Sequence, residues 1–364
     1  MHFIDLQTQY KTYKSDVDAA IQKVLDSSQY INGPQVMELE EQLADFVGTT
    51  FAVGFSSGTE SLKATLMAWE IGPGDEVITT PFTFIASAEV VAVLGAKPVF
   101  VDVDPNTLNI NPALIEAAIT TKTKAILPVS LYGQCANILA INAIAKKYNL
   151  PVLEDGCQSF GASYDGDRSC GLTTAGATSF FPAKPLGCYG DGGMTFTNNE
   201  NLANRLRIIR EHGQAARYRH SMLGGNGRLD TIQAAILLAK LPYFEQEIES
   251  RQQVAKYYMT HLPAGTRPPT IRPGNQSVFS QFTVRIKERD LVQKRMTEKG
   301  IPTAVHYPVP LHRQPVFSYL GYQEGNFPVA TKAANEVLSL PMHPFMTPEQ
   351  QDRVIAALKD SLVA

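Results

Sequence analysis

The feature that most narrows the fold is an alternation of short apolar runs with longer helical patterns over the first two-thirds of the chain. Residues 51–55 (Phe-Ala-Val-Gly-Phe), 75–79, 98–102, 125–128 and 151–155 read as strands of four or five residues. Helical patterns follow or separate them. One is opened by Ser57, Gly58 and Thr59 and runs to about Trp69; others cover residues 83–94 and 138–148. Strands that are apolar throughout are buried on both faces, and strands linked through helices of ten or more residues run parallel. The rhythm predicts an α/β protein with a mostly parallel central sheet. Ligands of such sheets sit beyond the carboxyl ends of the strands, which draws attention to Asp155 and to the turn at Ser57–Gly58–Thr59.

From Leu229 onward the rhythm stops. Residues 231–241 and 244–261 read as helices, and residues 263–276, with four prolines, as an irregular crossing. Residues 278–286 alternate like a strand, while residues 290–299, 329–338 and 348–362 carry helical patterns. The expectation is a large domain over residues 1–245, including an N-terminal arm, and a smaller C-terminal α+β domain over residues 246–364. A chain of 364 residues, 44% hydrophobic and 18% charged, supplies enough apolar mass for both cores. A net charge of -3 without a basic stripe argues against nucleic acid as partner. Residues 1–14 are polar where a leader needs an apolar core, and no run approaches the ~18 apolar residues of a membrane helix. The four cysteines show no Cys-x-x-Cys pairing and read as reduced thiols of a cytoplasmic protein. The seven histidines form no pair at metal-binding helical spacing, so no metal is expected.

The chemistry concentrates around Lys184. It stands among Phe180, Phe181, Pro182, Pro185, Gly187 and Gly190, an apolar and conformationally special setting. Burial disfavours the charged ammonium, and a neutral lysine amine condenses with aldehydes; the alternative is a lysine that snorkels from a tight loop. The glycines at 187, 190, 192 and 193 do not form a dinucleotide site, because residues 194–197 read as a strand where that motif needs a helix. Ser57, Gly58 and Thr59 head a helix, so they either cradle a phosphate on free N–H groups or merely cap the helix. Asp155 ends a buried strand and requires a partner, either a protonated ring nitrogen or a salt bridge or cap; Gln158, three residues on, is placed to bond a ring hydroxyl. Phe84 either lies on a planar ligand or fills core. Arg228, just before a helix, suits a carboxylate or phosphate as a two-point donor, or a surface ion pair. His306 and Tyr307 lie in a proline-rich loop that lines a site or packs between domains.

Taken in order, the cup, the aromatic, the acid with its glutamine, the hydroxyl of Ser179 and the lysine answer each part of pyridoxal phosphate. With Phe3-Ile-Asp-Leu6, Ile31-Asn-Gly-Pro34, residues 154–162, the Lys184 stretch, Arg228-Leu-Asp230 and His306-Tyr-Pro308, the chain resembles the DegT/DnrJ/EryC1/StrS family of nucleotide-sugar aminotransferases over nearly its whole length. That resemblance implies a type I, aspartate-aminotransferase-like fold and pyridoxal 5'-phosphate as cofactor. It makes Lys184 the Schiff-base lysine and Asp155 the partner of the pyridine nitrogen. It places Gln158 at the ring hydroxyl, Phe84 on the ring, and Gly58, Thr59 and Ser179 at the phosphate. Asn226 would join the phosphate from the other subunit of a homodimer with shared sites. Arg228, His306 and Tyr307 would face the sugar nucleotide. Within the family the motifs 131–135, 184–193 and 302–307 resemble those of members that move the amino group of L-glutamate to a UDP-linked 2-acetamido-2-deoxy 3-keto hexuluronic acid, a reaction of bacterial surface polysaccharide synthesis. The runner-up acceptor is another nucleotide-linked 3-keto or 4-keto sugar. The dehydratase branch carries a histidine in place of the lysine, so Lys184 argues for amino transfer. Phe160 departs from many relatives, which carry a histidine there.

Overall fold

The computed structural model of the chain describes residues 1–362. The strands expected from the apolar runs form at Phe51–Phe55, Glu76–Thr79, Lys97–Phe100, Thr123–Ile126 and Leu153–Asp155, joined by Ala175–Ser179 and Gly193–Thr197. Four of them pair in the order 51–55, 193–197, 175–179, 153–155, and three in the order 97–100, 76–79, 123–126. Parallel bridges Ile126↔Val152 and Val129↔Asp155 join the two groups into one layer. Every pairing is parallel except those of Gly193–Thr197, which runs against both of its neighbours. The strand interiors are buried on both faces, as their unbroken apolar character requires.

Helices cover both faces. Gly58–Ala68 begins at the N-cap Ser57, whose hydroxyl accepts the Glu60 N–H, and Ile138–Tyr148 follows Asn137. The helix expected over residues 83–94 is confined to Ala86–Val93; residues 80–85 form an irregular turn over the sheet edge. Two helices, Leu6–Ser27 and Pro34–Val47, precede the first strand, and the former packs along Thr231–Lys240 through Tyr13, Val17 and Ile236.

The C-terminal part builds a second sheet in which Phe282–Ile286 pairs antiparallel with Thr266–Arg267 and Val337–Leu340. The helical reading of residues 329–338 is corrected at its end. The helix stops at Glu336, and Val337–Leu340 is a fully buried strand. Its local pattern suits a helix, but pairing with Phe282–Ile286 buries all four side chains, and tertiary burial overrides propensity. Val254, Tyr258, Phe282, Val284, Leu338, Leu340, Val354 and Leu358 share one core. Phe317, Phe327, Ala330 and Ala333, later in the chain, pack instead with Val77, Phe100 and Leu127 on the large sheet. Asp102 fastens that return by accepting the Val329 and Ala330 N–H groups, both at 3.0 Å. Phe160 is buried and stacks on Phe196 and Phe244, with ring centroids 5.7 and 5.8 Å apart. Among the described residues no helix is long and apolar enough to cross a membrane.

Candidate active site

Two glycines decide what can meet at the carboxyl edge of the sheet. Gly193 lies between Phe55 and Ser179 in the ladder. A Cβ there would come within 2.3 Å of the Ser57 carbonyl carbon and 2.5 Å of the Gly58 nitrogen. A Cβ on Gly58 would stand 2.7 Å from Ser179 Cβ and 2.9 Å from Cys157 Sγ. Without side chains at either position, the start of helix Gly58–Ala68 seats directly on the ends of two strands. Its first N–H groups, which have no acceptor inside the helix, open there beside the Thr59 and Ser179 hydroxyls.

This cup is one end of a cavity of about 360 Å³ whose wall also carries Thr83, Phe84, Ser87, Asp155, Cys157, Gln158, Phe181, Lys184, Asp191 and Tyr307. Lys184 is the one cation on that wall among the described residues. Its amine makes no hydrogen bond among them, while its backbone N–H donates to Phe181 O at 2.8 Å. The loop that bears it is clasped at its feet, where Phe180 N donates to Gly192 O at 2.7 Å and Cys188 N to Phe180 O at 2.8 Å. Behind the loop, helix Thr231–Lys240 holds it twice on one face: Gln233 Oε1 accepts the Tyr189 N–H at 2.9 Å, and the buried Lys240 ammonium donates to Gly187 O. Burial pushes Lys240 down to about 8.

Asp155 and Glu154 are consecutive, so their side chains leave the strand on opposite faces. Asp155 faces the cavity, accepting from Ser87 Oγ at 2.7 Å and from the Cys157 N–H at 3.2 Å. Glu154 is sealed behind the sheet, where Ser130 Oγ, Ser169 Oγ and the Cys170 N–H donate to it at 2.6, 2.8 and 2.7 Å. Burial raises its carboxyl above the ordinary value in spite of those donors. Gln158 is fixed at both ends, accepting the Tyr132 N–H at 3.1 Å and donating to Tyr307 Oη at 3.2 Å. Burial, then the Asp155 charge, raises the Tyr307 phenol and keeps it a donor. Phe84 is 55% exposed and angled toward Tyr307, with its centroid 6.2 Å away; it is not core and offers a free face to the cavity.

The other candidates lie off this wall. His306 bonds Ser339 Oγ through Nδ1 at 2.9 Å, and burial, followed by the Lys184 charge, brings its imidazole down to about 4. Arg228 is engaged with Glu211 at 2.9 Å. Asn226 is exposed and meets Glu211 through the backbone. Ser87, which touches Asp155, was not singled out by the sequence; its only signal is a second hydroxyl, four residues after Thr83, inside an apolar helix.

The residues suit pyridoxal phosphate. The glycine cradle matches a phosphate at a helix start, Asp155 retains free lone pairs for a ring N–H, and an uncommitted amine faces the same space. The comparisons agree. The UDP-2-acetamido-2-deoxy-3-oxo-D-glucuronate aminotransferase of Pseudomonas aeruginosa is 55% identical over 98% of this chain and 99% of its own. The UDP-N-acetyl-3-dehydro-alpha-D-glucosamine 3-aminotransferase of Acidithiobacillus ferrooxidans is 41% identical over 99% and 97%. The crystal structure of S. venezuelae DesV in complex with a ketimine intermediate superposes with a TM-score of 0.97 at 39% identity, covering 100% of this chain and 98% of that one. Residues 11–359 match the model of the DegT/DnrJ/EryC1/StrS aminotransferase family, and the chain belongs to that family of pyridoxal phosphate-dependent transaminases.

Proposed function

We propose that this protein moves the amino group of L-glutamate to the 3-keto carbon of a UDP-linked 2-acetamido-2-deoxy-hexuluronic acid, releasing 2-oxoglutarate. The observation that carries the chemistry is the uncommitted Lys184 amine sharing one cavity with the Asp155 carboxylate and the glycine cup. The acceptor rests on the 55% identical relative, whose name specifies that sugar.

When bound, the cofactor supplies an aldehyde that condenses with amines and a protonated ring that draws electrons from the bond next to them. The helix start at Gly58 and Thr59, with Ser179, holds the phosphate, joined by the partner subunit's Asn226 in a homodimer. Asp155 keeps the ring nitrogen protonated, Gln158 meets the ring hydroxyl, and Phe84 covers one face. Lys184 would hold the aldehyde and, once freed by the amino donor, would accept the donor's α-proton at Nζ and return it to the carbon two bonds away, across the nitrogen. On the sugar side the same amine runs the transfer in reverse, a positioned acid–base group in both halves. Tyr307 and His306 border the sugar. Arg228, released from Glu211, answers its carboxylate or its diphosphate.

The test is an assay with L-glutamate and a panel of UDP- and dTDP-linked keto sugars, followed by mass spectrometry. The 3-keto uronate should be aminated fastest, with 2-oxoglutarate formed in equal amount. Amination of a 3-keto sugar lacking the carboxylate at an equal rate refutes the acceptor, and no 2-oxoglutarate with any sugar refutes the whole reading.

A further inference from the structure

Ser87 is 1% exposed in the first turn of helix Ala86–Val93, and its hydroxyl does not follow the usual course. Buried helical hydroxyls commonly turn back onto the carbonyl four residues earlier. Ser61 and Thr65 do so in the neighbouring helix, donating to Ser57 O and Ser61 O. Ser87 instead donates to Asp155 Oδ2 at 2.7 Å and meets Thr83 Oγ1 at 3.2 Å. A hydroxyl owns one proton, and an ionised carboxylate can only accept. With the Ser87 proton spent on Asp155, the Thr83–Ser87 contact is filled by the proton of Thr83. The chain therefore has one direction: Thr83 to Ser87 to Asp155. Donors linked in this way polarise one another.

We propose that Thr83 and Ser87 are positioning residues that hold the Asp155 carboxylate as an oriented anion against the cofactor's ring nitrogen, and so govern how firmly that nitrogen keeps its proton. The inference rests on the functional reading above. Two carboxylate oxygens each engaged by the protein (Ser87 on one, the Cys157 N–H on the other) leave the group one rotational setting. Thr83, Phe84 and Ser87 belong to a single turn and helix start, so one short segment sets both the ring face and the ring nitrogen.

The experiment uses the full chain loaded with pyridoxal phosphate labelled with 15N in its ring. Ser87→Ala should move the ring-nitrogen resonance toward its unprotonated position and shift the pH midpoint of the bound cofactor's absorbance. It should also weaken cofactor binding about tenfold, the weight of one hydrogen bond to a charged group. Thr83→Val, which keeps the shape and removes the hydroxyl, should give a smaller change in the same direction, and Thr83→Ser should restore the original spectrum. An unchanged resonance and midpoint in both hydroxyl-deleted variants overturns the proposal, even if they melt at lower temperature, since that result makes the hydroxyls structural. A wild-type chain that takes up no pyridoxal phosphate overturns the functional reading as well, which separates the two failures.

Discussion

Two kinds of charged side chain occur twice around this cavity, once on its wall and once sealed behind it. Lys184 is on the wall and Lys240 lies under the loop that carries it. Asp155 looks into the cavity and Glu154 away from it. The sealed lysine and acid are committed to the chain itself: Lys240 to a carbonyl, Glu154 to three donors. The outward ones keep bonding capacity in reserve. Identical functional groups thus divide into those that hold the fold and those left free to meet a ligand.

The sharpest way to break this division is Lys184→Ala. Turnover should fall about ten-thousandfold, the upper range of a positioned acid–base group, and borohydride reduction followed by digestion should yield no cofactor-bearing peptide at this site. Retained turnover would end the comparison. Asp155→Ala should slow the glutamate half-reaction roughly a thousandfold, read by stopped-flow absorbance, with a smaller loss of stability than at Glu154. Its neighbour should behave inversely. Glu154→Ala strands three donors and should cost about 3 kcal/mol in denaturant unfolding, while the bound cofactor's spectrum stays the same. Equal stability losses at 154 and 155 would show that the two faces are not distinct in role.

Lys240→Met should leave the fold intact, since an apolar chain of similar length replaces a buried cation. With Gly187 O unpaired and the loop less firmly held, cofactor affinity should drop roughly tenfold by equilibrium titration. A separate effect concerns acid stability. Burial, with Arg251 nearby, lowers His343 from 6.5 to about 4. Between those values the unfolded chain binds more protons than the native one, so stability declines as pH falls through the window, by up to about 1.4 kcal/mol per unit. His343→Gln should flatten that decline in thermal melts taken from neutral pH downward; an unaltered slope would assign it to other groups, His306 among them.

The wall of the cavity was legible to the extent that strand ends and helix starts are legible. Asp155, Gln158 and the 57–59 turn follow from the rule that ligands gather at the carboxyl edge, and Lys184 from its apolar setting. Hidden from the sequence was anything decided by direction. Nothing in Glu154-Asp155 says which acid looks outward; the register of the buried strand decides it. Ser87 reads as an unremarkable helical serine until Asp155 is brought next to it from 68 residues away. Arg228 reads as an anion donor, and in the folded chain its first partner is Glu211. Residues 337 and 338 read as the end of a helix because the pairing partner that determines their state lies more than fifty residues earlier.

The reversed strand Gly193–Thr197 has a mechanical consequence. Had it run with its neighbours, the connection from Ser179 would have had to travel back to the opposite rim, and the lysine would ride on a long crossover. Because it returns, both legs of the segment bearing Lys184 rise from one rung of two adjacent strands, the pair Ser179 and Gly193, and Asp155 stands on the next strand over, opposite Ala177. The spacing between amine and carboxylate is thereby referred to three hydrogen-bonded neighbouring strands, and a ligand spanning the two meets a gauge whose ends share one sheet.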